Sequence, residues 1–252
     1  MVYFVGAGPG DVDLITVKGA SLLKEADVII YAGSLVNPEH LKLAKRDAEI
    51  YDSASMTLDE VLKVMVEAVN QGKMVVRLHT GDPSLYGAIQ EQMDQLHKLE
   101  IPTKVVPGVS SFFAAAASIK RELTLPDVSQ TVILTRLSGR TLVPEKESLE
   151  SLASHRATMA IFLSVQQIED VVRELIQGGY PDTTPIVVVQ RASWPNEKIV
   201  RGNLRDIAAK VEEEKIFKTA MILVGDAVAT EEYSLSKLYD PSFTHEYREA
   251  TK

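Results

Sequence analysis

Along most of the chain, short apolar runs alternate with segments whose apolar residues recur at helical spacing. Val2-Tyr3-Phe4-Val5 reads as a strand, and Thr16 is placed to cap a helix from Val17 to about Glu25. A strand over 27–31 follows. Asn37-Pro38 then starts a short helix through Leu41 and Leu43, and 48–51 is the next strand. Thr57-Leu58-Asp59-Glu60 matches a capping box. Leu58, Val61, Leu62, Met65, Val66 and Val69 lie on one face of the helix it opens, which Gly72 closes. Met74-Val75-Val76-Arg77-Leu78 is the kind of continuous apolar run found in a parallel strand covered on both faces. A helix over 85–99, a strand over 103–106 and a very apolar segment, 112–119, complete this half.

The pattern breaks at Leu123-Thr124-Leu125-Pro126-Asp127 and then resumes. Strands are predicted over 131–135, 158–163, 185–190, 198–201 and 219–224, and helices over 144–154, 166–176 and 204–214. The turn Trp194-Pro195-Asn196-Glu197 makes 185–190 and 198–201 an antiparallel hairpin. The fold class is therefore α/β with two α/β domains. Residues 1–119 form the first, 120–128 a connector, 129–239 the second and 240–252 a polar tail.

Composition narrows the function. The chain has 252 residues, 45% hydrophobic and 25% charged, without an apolar run near the ~18 residues of a membrane span or an export signal. A cytoplasmic protein is expected. Its 27 Lys and Arg against 35 Asp and Glu give a net charge of -8, which argues against nucleic acid or a membrane surface as partner. It leaves room for an anionic small molecule met by a local cluster, with Arg77, Lys120, Arg121, Arg136, Arg140 and Arg191 as candidates. The absence of cysteine removes thiolate metal sites and a cysteine nucleophile.

Three loops at strand ends gather glycine, proline and small polar residues: Gly6-Ala7-Gly8-Pro9-Gly10-Asp11, His79-Thr80-Gly81-Asp82-Pro83-Ser84 and Pro107-Gly108-Val109-Ser110-Ser111. With parallel strands they share the carboxyl edge where open α/β sheets bind ligands. The first is no dinucleotide fingerprint. Asp11 stands where the third glycine belongs, Pro9 removes a backbone donor, and the next strand ends in Ala32 instead of an acid, so a nicotinamide oxidoreductase is disfavoured. The glycines suit close approach of bare backbone to a ligand. Asp82 is a ligand acceptor or the cap of the helix from Leu85, and Ser110 and Ser111 face the same choice. The histidines, His40, His79, His97, His155 and His245, are dispersed, so neither a metal site nor a nucleophilic triad is predicted. Backbone, hydroxyls and a carboxylate suit a reaction whose reactivity resides in a cofactor.

Taken together, these loops resemble the tetrapyrrole (corrin and porphyrin) methylase family, over roughly residues 2–230. Leu14-Ile15-Thr16-Val17-Lys18-Gly19 and the closing Thr219-Ala220-Met221-Ile222-Leu223-Val224-Gly225 add to the likeness. The resemblance implies S-adenosyl-L-methionine as cofactor, S-adenosyl-L-homocysteine as product, a cleft between the two domains and a homodimer. It maps cofactor contacts to Pro9, Thr80, Gly81, Asp82, Leu85, Ser110 and Ser111, and to Leu163, Ala192, Thr219 and Ala220. Ala192 and Thr219 replace the family's more usual glycine and proline.

The uroporphyrinogen-III branch typically carries Tyr-Asp where this chain has Tyr31-Ala32, and Gly-Lys-Arg where it has Asp52-Ser53-Ala54. Tyr31-Ala32-Gly33-Ser34-Leu35-Val36 and Asp52-Ser53-Ala54-Ser55-Met56 instead resemble the branch that methylates C11 of precorrin-4 or cobalt-precorrin-4, in cobalamin biosynthesis. The implied partner is that anionic tetrapyrrole, and no general base is assigned. The alternatives are another tetrapyrrole methylase and, from another class, a non-catalytic small-molecule binding module.

Overall fold

The computed structural model describes residues 1–251, so Lys252, the end of the expected tail, lies outside them. Two compact units emerge. One comprises Met1–Ala114 with Arg191–Glu197, and the other Ala115–Gln190 with the chain from Lys198 onward.

The first unit contains β1 (Val2–Gly6), α1 (Val17–Glu25), β2 (Val28–Tyr31), β3 (Glu49–Asp52), α2 (Leu58–Asn70), β4 (Val75–His79), α3 (Ile89–Lys98) and β5 (Thr103–Val106). The unit division falls inside α4 (Ser111–Ile119). All strand pairs are parallel, in the order β3-β2-β4-β1-β5. Alternation along each strand sends Val5, Ile29, Val76 and Leu78 to the face covered by α1, and Phe4, Ile30 and Val75 to the face covered by α2 and α3. The local signals act as predicted. Thr16 Oγ1 accepts the Gly19 N–H, Thr57 and Glu60 form the capping box, and Gly72 turns the chain at φ +74°.

The second unit contains β6 (Val132–Arg136), α5 (Leu149–Ala153), β7 (Thr158–Phe162), α6 (Ile168–Gln177), β8 (Pro185–Gln190), β9 (Lys198–Asn203), α7 (Ile207–Glu213) and β10 (Ala220–Val224). Its sheet is mixed, in the order β6-β7-β10-β8-β9, and β8 and β9 form the expected antiparallel hairpin. The three helices pack with Met159, Ile161, Ile186, Val188 and Ile222 in one core. The expected connector is bonded into this unit. Arg121 donates to the carbonyls of Ala229 and Thr230, and the Leu123 carbonyl accepts from Thr158 Oγ1.

Some predicted helices shrink. The helix expected from Leu85 begins at Ile89, because Tyr86 and Ala88 adopt left-handed backbone (φ 56° and 49°). The one expected over 144–154 divides into a 3-10 turn, Glu145–Glu147, and α5, and α7 starts at Ile207 instead of 204. The polar tail carries exposed Phe243 and Tyr247 and a bridge between His245 and Arg248.

Candidate functional site

In the first unit, neighbouring β1 and β4 send the chain to opposite faces of the sheet, β1 into α1 and β4 into α3. This is a topological switch point, the place where open sheets bind ligands. The loops leaving these strands are joined. Gly8 and Gly81 exchange backbone hydrogen bonds, the Gly81 N–H donating at 2.7 Å and the Gly8 N–H at 3.3 Å, and the Ala7 N–H donates to the His79 carbonyl. Gly6 and Gly108 meet back to back beside the Gly81 carbonyl. A Cβ on Gly6 would lie 2.6 Å from that oxygen, and one on Gly108 2.2 Å from it.

These glycines therefore bring loop against loop. The sequence suggested bare backbone facing a ligand, but protein atoms fill the space beside Gly6 and Gly10; at Gly8 the neighbour is the Leu14 carbonyl. Gly81 is the exception. At φ +60° it has no neighbour closer than 3.6 Å to a built Cβ, so its left-handed backbone explains the glycine.

Asp82 does not cap a helix at Leu85. Its Oδ1 accepts the Ser84 N–H and its Oδ2 the Gly108 N–H, both at 2.8 Å, which fastens the second loop to the third. Ser110 is buried and Ser111 half-buried at the start of α4. Ala192 is buried too and belongs to the first unit, between Arg191 and Ser193, both left-handed (φ 51° and 70°). Thus Pro9, Thr80, Gly81, Asp82, Leu85, Ser110, Ser111 and Ala192 all lie in one unit.

In the second unit, β7 and β10 pair antiparallel, so Leu163, just past the end of β7, and Ala220, the first residue of β10, lie toward the same end of the sheet. Leu163 is 69% exposed in left-handed backbone (φ 56°), and Thr219 beside Ala220 is left-handed as well (φ 54°). For a β-branched residue that conformation is strained, and such strain gathers at functional positions.

The basic candidates are mostly engaged. Arg77 is 7% exposed and donates to the Ile30 carbonyl and Gln92 Oε1, so it is a core residue and cannot meet a carboxylate at a rim. Burial pushes its guanidinium down to about 10. Arg136 holds the carbonyls of Thr141 and Leu142. His79, beside the Gly81–Asp82 loop, is 5% exposed, and burial, aided by Arg77, holds it neutral down to about pH 3.

Sequence reasoning named Arg191 and Ala192 but missed that their segment clamps the first loop. Trp194 Nε1 donates to the Pro9 carbonyl at 3.0 Å, Ser193 Oγ accepts the Asp11 N–H at 3.0 Å, and Asn37 Nδ2 donates to the Gly10 carbonyl at 2.8 Å. The only signal was a single tryptophan in what read as a plain hairpin turn.

A sequence profile described as "Tetrapyrrole (Corrin/Porphyrin) Methylases" matches residues 1–208. The chain belongs to the tetrapyrrole methylase family. Within that family it is 62% identical over 251 residues to a cobalt-precorrin-4 C(11)-methyltransferase of Methanocaldococcus jannaschii, covering 100% of this chain and 97% of the relative. Among solved structures it resembles a cobalt precorrin-4 methyltransferase, CbiF, at a TM-score of 0.89 and 50% identity, covering 91% of this chain and 96% of that one. It also resembles a uroporphyrin-III C-methyl transferase of Thermus thermophilus complexed with S-adenyl homocysteine. There the TM-score is 0.75 and the identity 29%, with 92% and 97% of the two chains covered. The two-domain α/β fold expected from the loops is that of this family. Among the described residues no helix is long and apolar enough to cross a membrane.

Proposed function

We propose that this protein transfers the methyl group of S-adenosyl-L-methionine to C11 of cobalt-precorrin-4, a step of cobalamin biosynthesis. The observation that carries the reading is the 62% identity, over the whole chain, to a relative bearing that name. The uroporphyrinogen-III alternative is supported less, since the relative of that name is 35% identical.

The donor set suits the cofactor. Thr80, Ser110 and Ser111 offer hydroxyls for a neutral nucleoside, and Asp11 and Asp13 near the first loop favour a cationic ligand over a phosphate. When bound, the cofactor supplies an already activated methyl on a sulfonium centre. The protein's part is then to hold donor and ring carbon in line and to keep water out. Pro9, Gly81, Asp82 and Ser110 are proposed to seat the donor in the first unit, with Leu163, Thr219 and Ala220 contributing from the second. The strained backbone at Thr219 supports its place in that assignment.

The test is incubation with isotopically heavy S-adenosyl-L-methionine and cobalt-precorrin-4, followed by mass spectrometry. One heavy methyl at C11 is expected. Donor binding with transfer only to another tetrapyrrole would move the protein to a different branch, and binding without transfer to any tetrapyrrole would make it a binding module. We further propose a homodimer, as the family resemblance implies, and a cytoplasmic location, as the lack of a membrane-length apolar run in the sequence suggests, to be checked by sedimentation and cell fractionation.

A further inference from the structure

We propose that Trp194 is a positioning residue for the methyl donor, seated on Gly10 and holding the Pro9 carbonyl so that the first loop keeps its donor-binding shape. The inference rests on the donor site proposed above.

The indole meets the loop at two points. Its N–H donates to the Pro9 carbonyl at 3.0 Å, satisfying a donor that needs a partner when partly buried. Its ring occupies the space beside Gly10 so fully that a Cβ there would lie 1.9 Å from Nε1 and 2.0 Å from Cδ1. Gly10 is thus a glycine because of a residue far along the chain. Ser193 adds the bond from the Asp11 N–H. The segment is itself braced: the Ser193 N–H donates to Glu197 Oε2 at 2.7 Å, the Trp194 N–H to the Arg191 carbonyl, and the Arg191 guanidinium lies 5.8 Å from the indole centroid.

Arg191 and Ser193 are held in left-handed backbone, a conformation that costs a non-glycine residue strain. What this geometry secures is the orientation of Pro9, Gly10 and Asp11. Through Pro9, Trp194 acts on the donor without touching the reacting atoms.

The test uses the full chain and S-adenosyl-L-homocysteine as probe. Because Trp194 is the only tryptophan, its emission reports on the latch directly. Trp194→Phe keeps an aromatic ring in the segment but removes the N–H and the part of the indole that carries it. It is expected to melt near wild type and to bind the probe about fivefold more weakly, the worth of one net hydrogen bond. In turnover it should raise KM for the donor while leaving kcat unchanged. Gly10→Ala is expected to shift the emission of the ligand-free protein to the red, and to cost less affinity in a Trp194→Ala background than alone, since the smaller side chain frees the space. Wild-type affinity in Trp194→Phe, or additive effects of Gly10→Ala and Trp194→Ala with unshifted emission, would overturn the latch. Failure of the wild type to bind the probe would instead remove the donor site itself, and the latch's purpose with it.

Discussion

Asp82 Oδ2 accepts the Gly108 N–H at 2.8 Å while Oδ1 of the same carboxylate accepts the Ser84 N–H, so a single side chain shapes its own loop and fastens it to the next. Asp82→Asn sets an amide donor against one of those two backbone donors. The expected result is a loss of about 1–3 kcal/mol in unfolding free energy by urea titration. Weaker S-adenosyl-L-homocysteine binding in calorimetry should accompany it.

Gly108→Ala places a methyl 2.2 Å from the Gly81 carbonyl and 2.9 Å from Gly6 Cα, both backbone atoms that cannot swing aside. It is expected to cost more than about 2 kcal/mol by forcing the loops apart. Gly139→Ala, where a built Cβ meets only the end of the Gln167 side chain at 3.3 Å, is the control and should stay within about 0.5 kcal/mol of wild type in the same denaturation series.

His79 gives the protein an acid-sensitive core. Its usual value of 6.5 is lowered by burial, and next by Arg77, to about 3, so below pH 6.5 the unfolded chain takes up a proton that the folded chain refuses. Stability is therefore complete above about pH 6.5 and falls as pH drops toward 3, by up to about 1.4 kcal/mol per pH unit. Buried His40, whose value is also lowered mainly by burial, acts in the same direction. Urea midpoints measured between pH 7 and pH 4 should decline less steeply in His79→Leu than in wild type, whatever that variant's stability at neutral pH.

Thr57 accepts the Glu60 N–H, and Glu60 returns a carboxylate oxygen to the Thr57 N–H at 2.7 Å. Thr57→Ala removes one half of this exchange and should destabilise the first unit by about 1 kcal/mol. A scanning calorimeter reads this as a lower melting temperature, and Thr57→Ser should restore most of it.

Thr219 holds a left-handed backbone that glycine adopts freely. Thr219→Gly is expected to leave stability unchanged or raise it by about 0.5–1 kcal/mol, relief of strain outweighing the freer unfolded chain. Its affinity for the donor should fall if the strained backbone serves binding. Parallel melting and binding measurements separate the two effects.

Much of the fold was legible because its signals are local. The capping box at Thr57, the unbroken apolar run of β4 and the turn between β8 and β9 each lie within a few residues and state their element directly. The three glycine-rich loops likewise announced a shared sheet edge, since strands parallel to one another must end together. What misled was the seam between elements. The residues before α3 read as helix, and only packing could show that Tyr86 and Ala88 turn left-handed there.

The sequence by itself determined most of the strands and helices and which loops share a sheet edge, because side-chain spacing and capping act over a turn or two of chain. Tertiary structure alone decided what those loops touch. The Pro9 carbonyl meets an indole 185 positions away, Gly10 is small because that indole lies on it, and Arg77, an apparent anion binder, is sealed in the core. Contacts of that range depend on how strands order within a sheet and how close two backbones come, and no periodicity along the chain encodes either.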